Sequence, residues 1–207
     1  DIPSETRIAA VVHLAGAPVL GMPWTRARRE VLVGSRAGIM RELLHLLRRL
    51  EERPAVLVSA SAVGFYGVPA PGRPLGEDAA PQPGCFQSDL CAAIEHEARR
   101  AETLGVRVVR MRFGLVLGHG GGSYAPLALA ARAGLGARLG SGKQPVPWIH
   151  IDDAIALVRF ALDNAHVRGA INAVAPEIIP QAAFNATLAR SFGRGSFLRV
   201  PAWAGPQ

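Results

Sequence analysis

Lysine is nearly missing from this chain. Lys143 is the single lysine among 23 basic residues, the rest being arginine. A Tyr-x-x-x-Lys pair, in which an ammonium lowers a phenol's pKa for proton transfer near neutral pH, is therefore excluded. Tyr66 and Tyr124 are followed at that spacing by Ala70 and Ala128. Cysteine is scarce as well. Cys85 and Cys91 are too few for a disulfide framework, and their spacing fits no zinc pattern. No apolar run approaches the roughly 20 residues of a membrane span; Arg132 and Arg138 break the most apolar stretch. No membrane partner is expected. No signal-peptide pattern opens the chain, so the default compartment is the cytoplasm. No Gly-x-Ser-x-Gly elbow occurs, which disfavours an α/β-hydrolase.

What is present is enough for a real core. Hydrophobic residues make up 49% and charged residues only 19%, which excludes a disordered polyampholyte. A length of 207 residues suggests one domain, or one with a small lobe. The net charge of +7 comes from arginines scattered over every predicted element, with no stripe interleaved with aromatics. Nucleic acid is accordingly not the expected partner.

The pattern alternates. Residues 8–14 form a short continuous apolar run of the kind found in buried parallel strands. Residues 25–52 read as a long helix, with apolar positions at Val33, Ala37, Met40, Leu43, Leu44 and Leu47. Pro23 and Thr25 are its start signals, and Gly34 is where it would bend or divide. Strands follow at 55–59 and 106–117, with a helix at 86–104 between them. A loop rich in Pro and Gly covers 67–84, and a glycine loop covers 118–122. Further on come a helix at 123–133, a strand at 145–151, a helix to about residue 164 capped by Asp152 or Asp153, a strand at 170–174, a helix at 181–192 and a strand at 197–200. This is the order of an α/β protein with a mostly parallel sheet. Ligands of such sheets sit at the carboxyl ends of the strands. The loops to watch are therefore 15–18, 59–66, 114–122 and 175–177.

Motifs taken alone are weak. Small hydroxyl residues at 59–61 suit a substrate or a cofactor carboxamide, or simply a turn. Gly134-Leu-Gly136 through Gly140 misses the dinucleotide spacing by one residue, and Gly142-Lys143-Gln144 lacks most of a P-loop. His150-Ile151-Asp152-Asp153 reads as a strand passing into a capped helix rather than a metal site. The other histidines form no cluster, so no metal is expected.

Taken together, the motifs resemble one family. Val11-Val12-His13-Leu14-Ala15-Gly16-Ala17-Pro18, then Trp24-Thr25, Gly34-Ser35-Arg36, the segment from Ser59 to Gly67 and Arg112-Phe113-Gly114-Leu115-Val116-Leu117-Gly118 occur in order. Gly140-Ser141-Gly142-Lys143-Gln144, Trp148-Ile149-His150-Ile151-Asp152-Asp153 and the segment from Arg168 to Pro176 follow. The chain resembles epimerase-family proteins of the YfcH type, atypical members of the extended short-chain dehydrogenase/reductase superfamily and relatives of nucleotide-sugar epimerases.

The resemblance implies a Rossmann-like, doubly wound parallel sheet with a small C-terminal substrate lobe. The dinucleotide-binding part would span 1–124 and 151–175, and the lobe 125–150 and 176–207. The implied cofactor is NADP, with NAD as the alternative. Leu14, Ala15 and Gly16 would lie against it, and Arg36 would turn a guanidinium toward its phosphates. Ser59 and Ser61 would sit near the nicotinamide, which Leu115 and Val116 would close over. Ser61 matches the superfamily's catalytic Ser/Thr. Cys85 and Asp89 fall where the superfamily places its Tyr and Lys, leaving Tyr66 as a substitute proton donor. With no cation expected beside it, such a phenol is a poor base at neutral pH. The implied substrate is a small molecule, a nucleotide sugar by analogy, and two copies would pair through the helices at 25–52 and 86–104. The family's glycine-rich turn lies before the first strand seen here, so the resemblance implies an interior stretch of a protein of about 300 residues. Two functions are open, an NADP-dependent epimerase or oxidoreductase and a catalytically silent NADP-binding regulatory or scaffold protein, with nucleic-acid binding through the arginines a distant third.

Overall fold

The structure, a computed structural model, describes residues 2–19, 22–68, 74–119, 122–195 and 198–200. In chain order the elements are β1 (Ala10–His13), α1 (Arg26–Val33), α2 (Ile39–Arg49), β2 (Val56–Ala62), α3 (Phe86–Arg99), β3 (Arg107–Phe113), β4 (Leu115–Leu117), α4 (Tyr124–Arg132), β5 (Ala137–Leu139), β6 (Pro145–Val146), β7 (Trp148–His150), α5 (Ile151–Asp163), β8 (Gly169–Ala173), β9 (Ile179–Pro180), α6 (Gln181–Ser191) and β10 (Leu198–Val200). They fall into two compact units. The first is Asp1–Phe113 with Ile155–Ala173, and the second Gly114–Ala154 with Val174–Gln207.

The first unit carries a four-stranded parallel sheet in the order β1-β2-β3-β8. Alternation along the strands builds two cores. Val11, Leu57 and Val108 face Met40, Leu44, Leu47 and Ala98 of α2 and α3. Val56, Val58, Val109 and Met111 face Leu157, Val158 and Ala161 of α5. Helices thus cover both faces, the doubly wound Rossmann-like arrangement. Each fully buried Leu or Met stabilises the fold by about 1.5–3 kcal/mol relative to leaving it exposed. Arg107 ties the second core together at its end. Its guanidinium donates to Ala161 O at 2.9 Å and Leu162 O at 3.4 Å, carbonyls that the end of α5 leaves open, and to Val167 O at 2.6 Å in the turn beyond it.

The expected helix at 25–52 is three pieces. Thr25 Oγ1 accepts from Arg28 N–H and caps α1. A π-helical turn, Gly34–Gly38, separates α1 from α2 at the glycine that marked a bend. The expected strand at 106–117 is also divided. Leu115 N–H donates to Pro147 O at 2.8 Å, and a Cβ on Gly114 would stand 2.6 Å from that same oxygen. Only glycine fits there, and past it β4 pairs with β7 instead of continuing in the first sheet. Asp152 and Asp153 lie in the first turn of α5, whose first residue is Ile151, rather than at its cap. The helix expected at 86–104 ends at Arg99 and closes with a 3-10 turn, Arg100–Leu104. β5 and β9 correspond to no strand expected from the sequence. Phe197 and the middle of the 118–122 loop lie outside the described residues. No helix among them is long and apolar enough to cross a membrane.

Candidate functional site

The carboxyl ends of β1, β2 and β3 gather most of the first unit's inward-facing polar side chains. The loop after β1 presents Leu14, Ala15 and Gly16 to solvent, Leu14 at 58% exposure. Two residues of the π turn hold it. Ala17 N–H donates to Ser35 Oγ at 3.0 Å, and Ser35 Oγ donates to Leu32 O at 3.2 Å. Arg36 Nη2 donates to Ala17 O at 2.8 Å. Its guanidinium lies so close to Gly16 that an added Cβ would stand 2.7 Å from Cζ. A π turn inserts an extra residue into a helix and commonly marks a functional position. Here it aims Ser35 and Arg36 at one loop. Arg36 is half-buried and, among the described residues, bonds no carboxylate. Burial lowers its pKa from the ordinary value; Arg28 adds to the shift, and Cys91 opposes it.

A second feature lies on the neighbouring strand. His13 and Ser59 are register partners, both buried. Neither ring nitrogen of His13 has a hydrogen-bond partner among the described residues, and neither does Ser59 Oγ. Burial holds the His13 pKa below 6.5, and the Arg36 guanidinium lowers it further. The unfolded chain takes up a proton below pH 6.5 that buried His13 resists, so stability present above that value is lost as pH falls through the folded pKa. The urea midpoint is expected to drop between about pH 8 and about pH 5, and a His13→Gln variant should lack that part of the drop. Identical pH slopes in the two proteins would remove His13 from the account.

Deeper in, Glu95 of α3 organises a polar network. It is fully buried. Oε1 accepts from Ser61 Oγ at 2.9 Å and Arg112 Nε at 2.8 Å. Oε2 accepts from Arg112 Nη2 at 2.9 Å and Arg110 Nη1 at 3.1 Å. Arg112 also donates from Nη1 to Tyr66 Oη and to Glu77 O, each at 2.8 Å. Its guanidinium stacks 3.6 Å from the centroid of the Phe65 ring. Burial alone would lower the Arg112 pKa, but the bonds to Glu95 and Tyr66 outweigh burial and raise it. Tyr66 Oη donates to Asn172 Oδ1 at 2.6 Å. A hydroxyl has one proton to give. Ser61 gives its own to Glu95 and Tyr66 gives its own to Asn172, so both present lone pairs only.

The sequence-predicted residues therefore separate. Leu14, Ala15, Gly16 and Arg36 come together around one loop. Ser59 neighbours His13. Ser61 and Tyr66 belong to the Glu95 network and are buried. The expectation that no cation stands beside Tyr66 is overturned by Arg112, which is 46 residues away in sequence and one strand away in the fold. Leu115 and Val116 lie on β4 of the second unit, paired with Trp148 and Ile149. Cys85 directly precedes α3, and Asp89 is exposed in its first turn. Cys91 is buried, which raises its thiol pKa. No group of three or more His, Cys, Asp or Glu side chains among the described residues could hold a metal ion. Sequence reasoning missed Ser35, Glu95, Arg112 and Asn172. One signal for the network was available, since Arg110 and Arg112 interrupt an otherwise apolar strand.

Comparison with known proteins agrees in kind. A family profile described as "NAD dependent epimerase/dehydratase family" matches residues 1–174. Epimerase family protein YfhF of Bacillus subtilis is 35% identical over 190 residues, covering 92% of this chain and 62% of that protein. Epimerase family protein SSP1921 of Staphylococcus saprophyticus is 38% identical over 197 residues, covering 95% and 65%. The chain thus spans less than two thirds of the length of these curated relatives. Among solved structures, human epimerase family protein SDR39U1 (isoform 2) with NADPH superposes with a TM-score of 0.88 at 32% identity, covering 96% of this chain and 67% of that one. A nucleoside-diphosphate sugar epimerase from Corynebacterium glutamicum gives 0.74 at 29% identity, covering 94% and 41%.

Proposed function

The chain belongs to the NAD dependent epimerase/dehydratase family, and from that premise we propose that it binds NADP(H) at the carboxyl ends of β1 and β2 and serves epimerase or oxidoreductase chemistry on a small molecule. Within the family we place it with the YfcH-type proteins. A nucleotide sugar is the substrate class we favour, because one neighbour above 25% identity is described as a nucleoside-diphosphate sugar epimerase.

One observation carries the reading. Arg36 is a half-buried guanidinium with no carboxylate bond among the described residues, held against a glycine in an exposed loop at the end of a parallel sheet. Such a cation suits a phosphate. The residues present therefore fit the cofactor. Arg36 would meet an anionic oxygen, the backbone of Leu14, Ala15 and Gly16 would lie along the ligand, and Ser59 would face its nicotinamide end. When bound, the nicotinamide supplies hydride transfer. Ser61 and Tyr66 are the proposed groups for a substrate hydroxyl. Since their own protons are engaged, both would accept from that hydroxyl, and Glu95 and Asn172 would keep them in that orientation.

The same engagement favours a second reading, a catalytically silent NADP-binding regulatory or scaffold protein. Neither hydroxyl can protonate a carbonyl as bonded here, and no Tyr-x-x-x-Lys pair exists. NADPH fluorescence titration tests the shared premise. Binding is expected, with Arg36→Met weakening it about tenfold or more. A protein that ignores NADPH overturns both readings. A panel of sugar nucleotides followed at the NADPH absorbance band then separates them. Turnover that Tyr66→Phe leaves unchanged would remove Tyr66 from the site, and binding without any turnover favours the silent protein.

A further inference from the structure

Arg28 of α1 and Arg36 of the π turn reach the same loop. Arg28 Nη2 donates to Pro18 O, and Arg36 Nη2 donates to Ala17 O at 2.8 Å. The two guanidiniums thus end on successive peptide carbonyls, and consecutive Cα atoms are only about 3.8 Å apart. Neutral groups already hold this loop. Ala17 N–H donates to Ser35 Oγ and Trp24 Nε1 donates to Val19 O, each at 3.0 Å. Two cations are more than such a loop needs, and they repel each other. Neither bonds a carboxylate among the described residues. Glu30, on the turn that carries Arg28, is engaged by Arg26 at 3.2 Å. Burial lowers the Arg36 pKa, and the Arg28 charge lowers it further. Open donors remain on both side chains. Arg28 Nη1 and Arg36 Nε bond nothing among the described residues, and neither atom is enclosed. Arg36 Nε lies 2.8 Å from where a Cβ on Gly16 would stand, so the missing side chain leaves it uncovered. Neighbouring guanidiniums with open donors and no countercharge suit a phosphoryl group, whose oxygens accept from both forks.

We propose that Arg28 is a second phosphate-binding residue, and that Arg28 and Arg36 together grip one doubly charged phosphoryl unit of the dinucleotide. The inference rests on the cofactor reading above and deepens it, since that reading calls on Arg36 alone. Two parts of the ligand carry such a charge. The pyrophosphate is common to NADP and NAD. The 2′-phosphate, a monoester with a charge of about −1.5 to −2 at neutral pH, belongs to NADP only. Either one offers oxygens to both cations, and comparison of the two cofactors tells them apart.

The test is calorimetric binding of NADPH and of NADH to the whole protein and to its Arg28→Met and Arg28→Lys variants. Arg28→Met is expected to weaken NADPH about tenfold, the effect of losing a hydrogen bond to a charged group. Arg28→Lys, which keeps the charge but not the fork, should weaken it about threefold. Equal losses for NADPH and NADH assign the pair to the pyrophosphate, and a loss for NADPH alone assigns it to the 2′-phosphate. A folded Arg28→Met protein that binds both cofactors as the parent does overturns the proposal. A second measurement needs neither a variant nor a dinucleotide. Phenylglyoxal modifies accessible arginines, and peptide mass mapping reads each site. Inorganic pyrophosphate at about ten times its Kd should slow modification of Arg28 and Arg36 about tenfold. Arg26, Arg29 and Arg41, on α1 and α2 but not bonded to residues 17 and 18, should stay reactive. Protection spread evenly over all five arginines, or absent at Arg28, overturns the proposal. This arm decides it if Arg28→Met does not fold. If the unsubstituted protein binds neither NADPH nor NADH, the cofactor reading fails by itself, and protection by pyrophosphate still decides whether Arg28 and Arg36 form a phosphoryl site.

Discussion

Replacing Glu95 by alanine is expected to lower folding stability by about 3–5 kcal/mol, the cost of breaking a buried ion cluster from one side. Glu95 is fully buried, and the two guanidiniums it neutralises are 13% and 3% exposed. Without the carboxylate, Arg110 and Arg112 would lie close together with no countercharge and little water. Glutamine separates charge from shape. Both carboxylate oxygens accept from donors, Ser61 and Arg112 on one side, Arg110 and Arg112 on the other. An amide placed there must turn its NH2 toward donors whichever way it lies. Glu95→Gln should therefore cost nearly as much as Glu95→Ala. Urea unfolding measures both. A Glu95→Gln loss below about 1 kcal/mol would mean that Glu95 fills space rather than balancing charge. Combining Glu95→Gln with Arg112→Met should cost less than the two added, since the second change removes a stranded cation.

This cluster also shows what the sequence made legible. The alternation of short apolar runs with helical patterns was enough for the parallel α/β sheet. Apolar runs reflect burial on both faces, and burial is what the two cores around Leu57 and Val58 require. Gly34 marked the break in the long helix because a glycine inside a helix costs stability and invites irregularity. The division of β3 at Gly114 was not legible. It depends on Pro147, 33 residues later, approaching the backbone there. Strands of two or three residues, such as β5 and β9, carry too little periodicity to register at all.

The site divides along the same line. Leu14, Ala15, Gly16 and Arg36, which the resemblance named, meet around one loop because the loop and the helix are close in sequence. The network around Ser61 was missed because its members come from β2, α3, β3 and β8 and meet only after the sheet has formed. Tyr66 was judged by its sequence neighbours, and its cation comes from the next strand. A charged residue repeated inside an apolar strand, as at Arg110 and Arg112, signals a buried partner, but periodicity cannot say that the partner is Glu95.

Placing a side chain on Gly16 is expected to remove most NADPH affinity while leaving the fold intact. A Cβ at that position would stand 2.7 Å from Arg36 Cζ, 2.8 Å from Nε and 3.0 Å from Nη2. Something must move, and the far end of a flexible side chain moves more cheaply than backbone. The backbone of Gly16 itself needs no positive φ, so the substitution brings no conformational strain of its own. The contact Arg36 gives up is its bond to Ala17 O, and with it the direction of its free donors. Gly16→Ala should therefore unfold at nearly the same urea concentration as the parent protein. Its NADPH affinity should fall by about ten- to a hundredfold, the range for losing a hydrogen bond to a charged group. Gly16→Val, with two further methyl groups facing the guanidinium, should sit at the weak end of that range. In an Arg36→Met background the Gly16→Ala change should matter much less, because the group it displaces is gone. Unchanged affinity in Gly16→Ala, with the fold retained, would mean that Arg36 does not hold the cofactor's phosphate from this position.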